Sequence, residues 1–441
     1  MMNNRKYPKI NDCNSLSSKS FGDGGIALRF WYANFWLLVA APGIKLLAFY
    51  MDIPDLPRFL IVYSGTIYLS VSLLLMPFVI SNISGTRTAY LSLFIVLFPF
   101  LLTGRADVEV SVPVLVGYAL FSGVLSIGTV VYTIQRSGLI LPRYAVYSAF
   151  ISLPSLGILP LLVSDIDYAY PIHNSLPGFV SVRIYGSIVA ISIVALIAAS
   201  WAGVIKQNPM HRVGLFVAVA LLVAALSWSG SRGALVAVLG ALCILAVCLR
   251  RLRRIDLKAI LWGCAAGFAG SLFYPIPNHN FGLIHRLVSS GDRLSEAGWN
   301  GVSTGRFDIW SLAIQSILER PLVGYGFNPA PMLSSEIGLD YRHFHNLPLD
   351  LAASFGIPVA LVILLVIFMA LIRGIGAILN DTDCNRHIAV SLGSLLVILI
   401  SSMTEGLYLS PFASAIGALC VGQLLGQQAE KVQAPACRSK D

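Results

Sequence analysis

The sequence predicts an all-α protein, a polytopic membrane helical bundle of about twelve transmembrane helices broken by one long loop. Three observations carry this reading. The 441 residues are 56% hydrophobic and 12% charged, with a mean hydropathy of +0.78; soluble domains carry about 25% charged residues. Apolar runs of span length recur along almost the whole chain. Most lysines and arginines fall between alternate runs, on one side of the bundle.

The runs lie near 30–50, 59–80, 89–103, 111–134, 144–164, 184–205, 213–229, 233–249, 259–275, 347–372, 388–404 and 407–427. Backbone groups in lipid must bond within their own segment, so each run reads as a helix. The first run starts near Leu28, contains Arg29 and Lys45, and lacks a small-residue cleavage site. It reads as a retained span rather than a signal peptide. The expected layout is an N-terminal tail at 1–29, spans 1–6 over 30–211 and spans 7–9 over 212–275. A non-cytoplasmic loop at 276–346, spans 10–12 over 347–427 and a tail at 428–441 complete it.

Charge sets the orientation. With both termini inside, Arg136, Arg143, Lys206, Arg212, Arg373, Arg386 and the cluster Arg250, Arg251, Arg253, Arg254 and Lys258 all fall in the cytoplasm. The outer loops hold Asp52, Asp55, Asp107, Glu109, Asp165 and Asp167, with Arg58 and Arg105 as exceptions. That bias is the one cytoplasmic loops show. It also explains the net charge of +9 without a nucleic-acid partner, for which no basic run interleaved with aromatics is present. The seven cysteines form no C-x-x-C pair and read as small core residues or reduced thiols.

The break between Pro275 and Asn346 spans about 70 residues, a length that is usually functional. Within it Ile309, Trp310, Ala313, Ile314, Ile317 and Leu318 recur at helical spacing over 307–318. Three polar groups fall on the same outer face: Ser229-Gly230-Ser231-Arg232-Gly233 at a tight turn, Thr304-Gly305-Arg306 in the loop, and His343-Phe344-His345-Asn346 before the next span. Arginine forks match phosphate oxygens, and histidine accepts a proton from a sugar hydroxyl. Together they suit a reaction in which a base activates an acceptor oxygen while cations stabilise a departing diphosphate. Taken singly, each has a plainer reading. Arg232 can snorkel at a helix end, Arg306 can be a solvated loop charge, and Asn346 can cap a helix.

Other outward groups compete for attention. Asp165-Ile166-Asp167 has the D-x-D form that holds Mg²⁺ or Mn²⁺ in some glycosyltransferases. His173, Arg183 and Tyr185 are candidates for an acceptor site, unranked. Glu405, near the turn between the last two spans, is an ionisable residue beside a span and receives no role.

The order of these motifs resembles the O-antigen ligase family, which includes O-antigen ligases, polysaccharide polymerases and some protein O-oligosaccharyltransferases. Ser-Arg-Gly-Ala-Leu from Ser231 opens an apolar helix. Thr-Gly-Arg-Phe-Asp-Ile-Trp follows from Thr304, Pro-Leu-Val-Gly-Tyr-Gly-Phe from Pro321, and His345-Asn346 precedes Leu-Pro-Leu-Asp-Leu-Ala-Ala-Ser-Phe-Gly-Ile and Pro358. The likeness covers about residues 212–375. It implies a glycosyltransferase C-like helical fold in the bacterial inner membrane, with a periplasmic loop over the site. It implies an undecaprenyl-diphosphate-linked glycan donor, inversion at the anomeric carbon and no metal or other cofactor. By the same likeness Arg232 and Arg306 bind the diphosphate and His345 is the catalytic base. The likeness assigns no role to His343; His343 and Asn346 are candidate neighbours of that base by their place in the sequence.

The expected reaction is glycan transfer to an acceptor hydroxyl, as in ligation onto lipid A-core. A polymerase joining lipid-linked repeat units and a protein O-oligosaccharyltransferase need the same groups. Work beside a flippase and a chain-length regulator is also implied for a polymerase. A polytopic transporter is the alternative of another class. It calls for charges at midplane or matched Gly/Pro breaks, whereas the polar groups here gather at one face.

Overall fold

A computed structural model describes residues 181–202, 209–248, 257–274, 281–289, 305–326, 328–338, 341, 343–379, 388–409 and 411–426. The expected spans at 30–50, 59–80, 89–103, 111–134 and 144–164 lie outside them, as do Asp165, Asp167 and His173. Among the described residues the structure is helical and contains no strand. The helices are α1 (Val182–Trp201), α2 (Pro209–Ser229), α3 (Arg232–Cys248), α4 (Leu257–Ser271), α5 (Arg306–Glu319), α6 (Ala330–Glu336), α7 (Leu347–Phe355), α8 (Ile357–Leu379), α9 (Ile388–Ser402) and α10 (Pro411–Gly426).

Val182–Trp201, Arg212–Ser229 and Ile357–Leu379 are long and apolar enough to cross a membrane; α3 and α9 are shorter apolar helices. Helix α1 is the most fully buried of the three long helices. Ser181 starts it by accepting from the Ile184 amide at 3.2 Å. It is apolar all round, and Tyr185, Val189, Ile193 and Leu196 are all buried, as a helix enclosed by other helices requires. It packs on α2, α3 and α9. Association in lipid rests on close packing rather than on expelling water. Gly267 on α4 shows how close: a Cβ there would lie 2.3 Å from the Ala220 carbonyl oxygen on α2. By contrast α8 exposes Leu361, Leu365, Phe368 and Ile372, a surface suited to lipid.

The apolar run expected as one span over 347–372 is two helices. The break falls at Gly356, with φ +82°. Pro358 follows, and proline cannot continue a helix in its interior. A Cβ on Gly356 would meet the Leu322 carbonyl oxygen at 2.2 Å, because the chain at 320–326 closes over this point. There Ile357 N–H donates to the Pro321 carbonyl at 2.7 Å, Tyr325 N–H to Ala353 at 2.8 Å and Gly326 N–H to Ser354 at 2.9 Å.

Helices α5, α6 and α7 build a small cap with its own core. Ile309, Ala313 and Ile317 of α5 bury one face against Ala330 and Leu333 of α6, with Phe344 and Ala353. The expected helix over 307–318 is thus present as α5. Burying a large side chain such as Ile309 or Phe344 stabilises such a cap by about 1.5–3 kcal/mol each. Leu347, Leu351 and Phe355 then join α7 to Val359 and Ala360 of α8, which seats the cap on the bundle.

Candidate active site

The site is built where several helix ends meet. Gly230, at φ +62°, makes the turn from α2 to α3. Ser231 Oγ accepts from the Ala234 amide at 3.4 Å and so caps α3, leaving Arg232 as its first residue. Gly186 near the start of α1 lies against Ser229 and Ser231. A Cβ on Gly233 would approach Thr404 Oγ1 to 2.5 Å and Glu405 Cγ to 3.8 Å. The starts of α1 and α3, the end of α2 and the turn after α9 therefore share one end of the bundle.

That last turn holds Glu405. The amides of Thr404 and Glu405 donate to the Ser401 carbonyl at 3.1 and 2.8 Å, which folds the chain back and buries Glu405 to 6% exposure. From the cap, Arg306 opens α5 behind Gly305, at φ +76°. Its Nη2 donates to Glu405 Oε1 at 3.2 Å, an ion pair that bridges cap and bundle. Its Nε–H has no protein acceptor, and that donor fits a phosphate oxygen. Burial lowers the Arg306 pKa, Glu405 raises it again, and the positive fields of Arg183 and Arg232 lower it further. Arginine nonetheless stays charged.

His345 sits between these groups. It adopts φ +55°, a left-handed conformation that costs a non-glycine residue about 1–3 kcal/mol. The surroundings impose it. Asp350 Oδ1 accepts from the Phe344 amide at 3.1 Å and Oδ2 from the Asn346 amide at 3.4 Å. Trp310 Nε1–H donates to the Phe344 carbonyl at 3.0 Å. The Asp350 carboxyl also accepts from the Tyr408 hydroxyl, and burial pushes it up to about 6 against the pull of these three donors. The His345 ring packs against His343, centroids 3.9 Å apart. Its Nδ1 has no hydrogen-bond partner and lies 4.0 Å from Glu405 Oε2. Burial first, then His343, Arg306 and Arg183, lower its pKa to about 2, with the Thr404 backbone opposing. The ring is therefore neutral, and the 4.0 Å approach is not an ion pair as it stands.

The structure brings together the sequence candidates Arg232, Arg306, His343 and His345. Asn346 serves as the cap of α7, its side-chain oxygen accepting from the Leu349 amide at 3.2 Å. Arg183, unranked in the sequence, joins the cluster through its field on Arg306 and His345. Glu405 was given no role, yet it touches Arg306. Its signal was available: it is the lone charged residue between 388 and 426. Asp350 was hidden inside the apolar run at 347–372, and Trp310 reads in the sequence only as part of the helical spacing over 307–318. Among the described residues no three His, Cys, Asp or Glu side chains are placed to share a metal ion.

A helical protein with arginines gathered beside a histidine at one end of its bundle offers a place for an anionic group there. Comparison with known families refines this. Residues 216–364 match the family model described as Wzy_C, O-antigen ligase. The matched segment runs from α2 into α8 and takes in Arg232, Arg306, His343 and His345. The resemblance read from the sequence is thereby borne out. The match supports a glycosyltransferase-like bacterial membrane enzyme and glycan transfer of the O-antigen ligase or polymerase type, with lipid-linked glycan substrates. No curated protein matches the chain.

Proposed function

We propose that this protein transfers glycan from an undecaprenyl-diphosphate-linked donor to an acceptor hydroxyl at the periplasmic face of the bacterial inner membrane, as an O-antigen ligase does. The observation that carries this reading is the meeting of Arg306 with His345, with Arg183 near enough to act on both and Arg232 on Arg306. Arg232 and Arg306 hold the diphosphate, and Arg183 adds to the positive field. His345 is the base, with His343 packed beside it. The layout of about twelve spans, both termini in the cytoplasm and 276–346 in the periplasm, belongs to the same proposal.

The chemistry follows from these roles. The acceptor O–H gives its proton to His345. The acceptor oxygen attacks the anomeric carbon from the face opposite the diphosphate, and the carbon–oxygen bond to phosphate breaks. The electron pair leaves on the diphosphate, where the guanidinium groups stabilise the added charge. Direct displacement inverts the anomeric centre. A base depressed to about 2 is weak at rest. Burial is the largest cause of that depression and the arginine field a smaller one; an anionic diphosphate lying among the arginines offsets the field's share, so basicity rises when donor is bound. This couples proton removal to donor occupancy.

The test is the surface glycan of a deletion strain, separated by size and complemented with wild type, Arg306→Ala or His345→Ala. Loss of chains from lipid A-core, with long polymer left on the carrier, supports ligation. A single repeat unit left on the core identifies a polymerase instead. Full complementation by His345→Ala overturns the proposed chemistry.

A further inference from the structure

Glu405 stands between the two halves of the site. One carboxylate oxygen holds Arg306 Nη2 at 3.2 Å, and the other lies 4.0 Å from His345 Nδ1. Its side chain is 8% exposed, so no solvent competes strongly for either oxygen. His345 Nδ1 is buried and without a bond. The charged and titratable groups facing His345 are His343 on its own loop, Arg306 on α5, Arg183 on α1 and Glu405 on the turn after α9. Glu405 is the one anion in that set. Asp350 is turned to the backbone amides of Phe344 and Asn346. A carboxylate behind a histidine fixes its tautomer and stabilises the imidazolium that forms during catalysis. At rest this carboxylate is engaged by Arg306 instead.

We propose that Glu405 is a donor-operated positioning residue. Without donor it neutralises Arg306. When the diphosphate takes the Arg306 guanidinium, the freed carboxylate closes the short remaining distance to Nδ1–H of His345. Nε2, released from the Thr404 carbonyl that the ring bonds at rest, then faces the acceptor and takes its proton, while the electron pair of the breaking anomeric bond leaves on the diphosphate. The proton departs with the released polyprenyl diphosphate, whose terminal phosphate has gained a charge. Donor binding and base activation are in this way one event, which guards the site against proton transfer before donor is present. The inference rests on the roles proposed above for Arg306 and His345.

The turn itself is fixed independently of the carboxylate. Its amides bond to Ser401, and Tyr408 donates to Asp350 across the cap. Glu405→Gln should therefore fold. Membranes of the deletion strain carrying full-length wild type, Glu405→Gln, Glu405→Asp or His345→Ala are assayed for transfer from the strain's own lipid-linked donor across pH, with undecaprenyl diphosphate as a binding probe. Glu405→Gln is expected to lower kcat about 30- to 100-fold and to bind undecaprenyl diphosphate at least as tightly as wild type. The acid limb of its residual kcat moves to lower pH, because the imidazolium has lost its counter-charge. Glu405→Asp restores part of the rate. Wild-type kcat and pH profile in Glu405→Gln overturn the proposal, as does loss of probe binding together with turnover, which marks a structural role only. Full activity in His345→Ala defeats the underlying reading of the base, whatever Glu405 does.

Discussion

The indole Nε1–H of Trp310 donates to the backbone carbonyl of Phe344 at 3.0 Å. Trp310 lies one turn along α5 from Arg306, and Phe344 immediately precedes His345. One hydrogen bond thus ties the helix that presents the guanidinium to the loop that presents the imidazole.

Trp310→Phe keeps the ring and removes the donor. A hydrogen bond of this kind contributes about 0.5–1.5 kcal/mol, so stability should fall by that order. With Phe344 freed on one side, the left-handed backbone at His345 relaxes and kcat should drop about tenfold. The KM for donor should change little, since Arg306 keeps its place at the start of α5. Steady-state transfer in membranes checks the split.

Asp350 gives a pH-dependent prediction. Its folded pKa, about 6, lies above the ordinary aspartate value of 3.8, because the carboxyl is buried. Its contribution to stability is thus complete below 3.8 and is lost as pH rises through 6, where the buried carboxylate ionises. Asp350→Asn is uncharged and should have thermal stability within about 1 kcal/mol of wild type at pH 7. It lacks one acceptor for the Phe344 and Asn346 amides, so activity should fall about tenfold while the protein stays folded. Thermal melting and transfer rate measured on one preparation separate the two effects.

Arg306→Lys retains a positive charge and loses the fork together with the Nε donor. Lysine binds phosphate as a point charge. The expected result is at least a tenfold weaker donor interaction, read as a rise in donor KM or in the dissociation constant of undecaprenyl diphosphate. Unchanged affinity would remove Arg306 from the clamp.

Gly406→Ala probes His343 from outside. A Cβ there would lie 2.7 Å from His343 Nε2, so the ring must shift, and His345 with it through their tilted ring contact. Turnover should fall about tenfold with little loss of stability, because the displaced atom belongs to a side chain. Gly356→Ala is the contrasting case. There the clash is with the Leu322 backbone and φ is +82°, so destabilisation of several kcal/mol is expected. Yield and melting temperature in detergent distinguish the pair.

Several elements were legible in the sequence for local reasons. Helices α1 to α4, α9 and α10 follow from runs of apolar residues, a property each segment carries by itself. The spacing of Ile309, Ala313 and Ile317 announced α5. Arg232, Arg306 and His345 stood out because charged or titratable groups beside apolar spans are few. The division of 347–372 into α7 and α8 was not legible. Hydropathy is continuous through Gly356, and the break depends on the 320–326 segment lying against it.

The sequence by itself determined a helical membrane protein, the boundaries of most described helices and a short roster of chemically able residues. Those are consequences of composition and period. Only the tertiary structure decided which of them meet. Asn346 became a helix cap, Arg183 joined the arginines, Asp350 became the support of a left-handed histidine, and Glu405 came to lie between Arg306 and His345. The physical reason is that a carboxylate acts over a few ångströms. The 99 residues that separate Arg306 from Glu405 along the chain are closed to 3.2 Å by packing of helix ends, which no local pattern encodes.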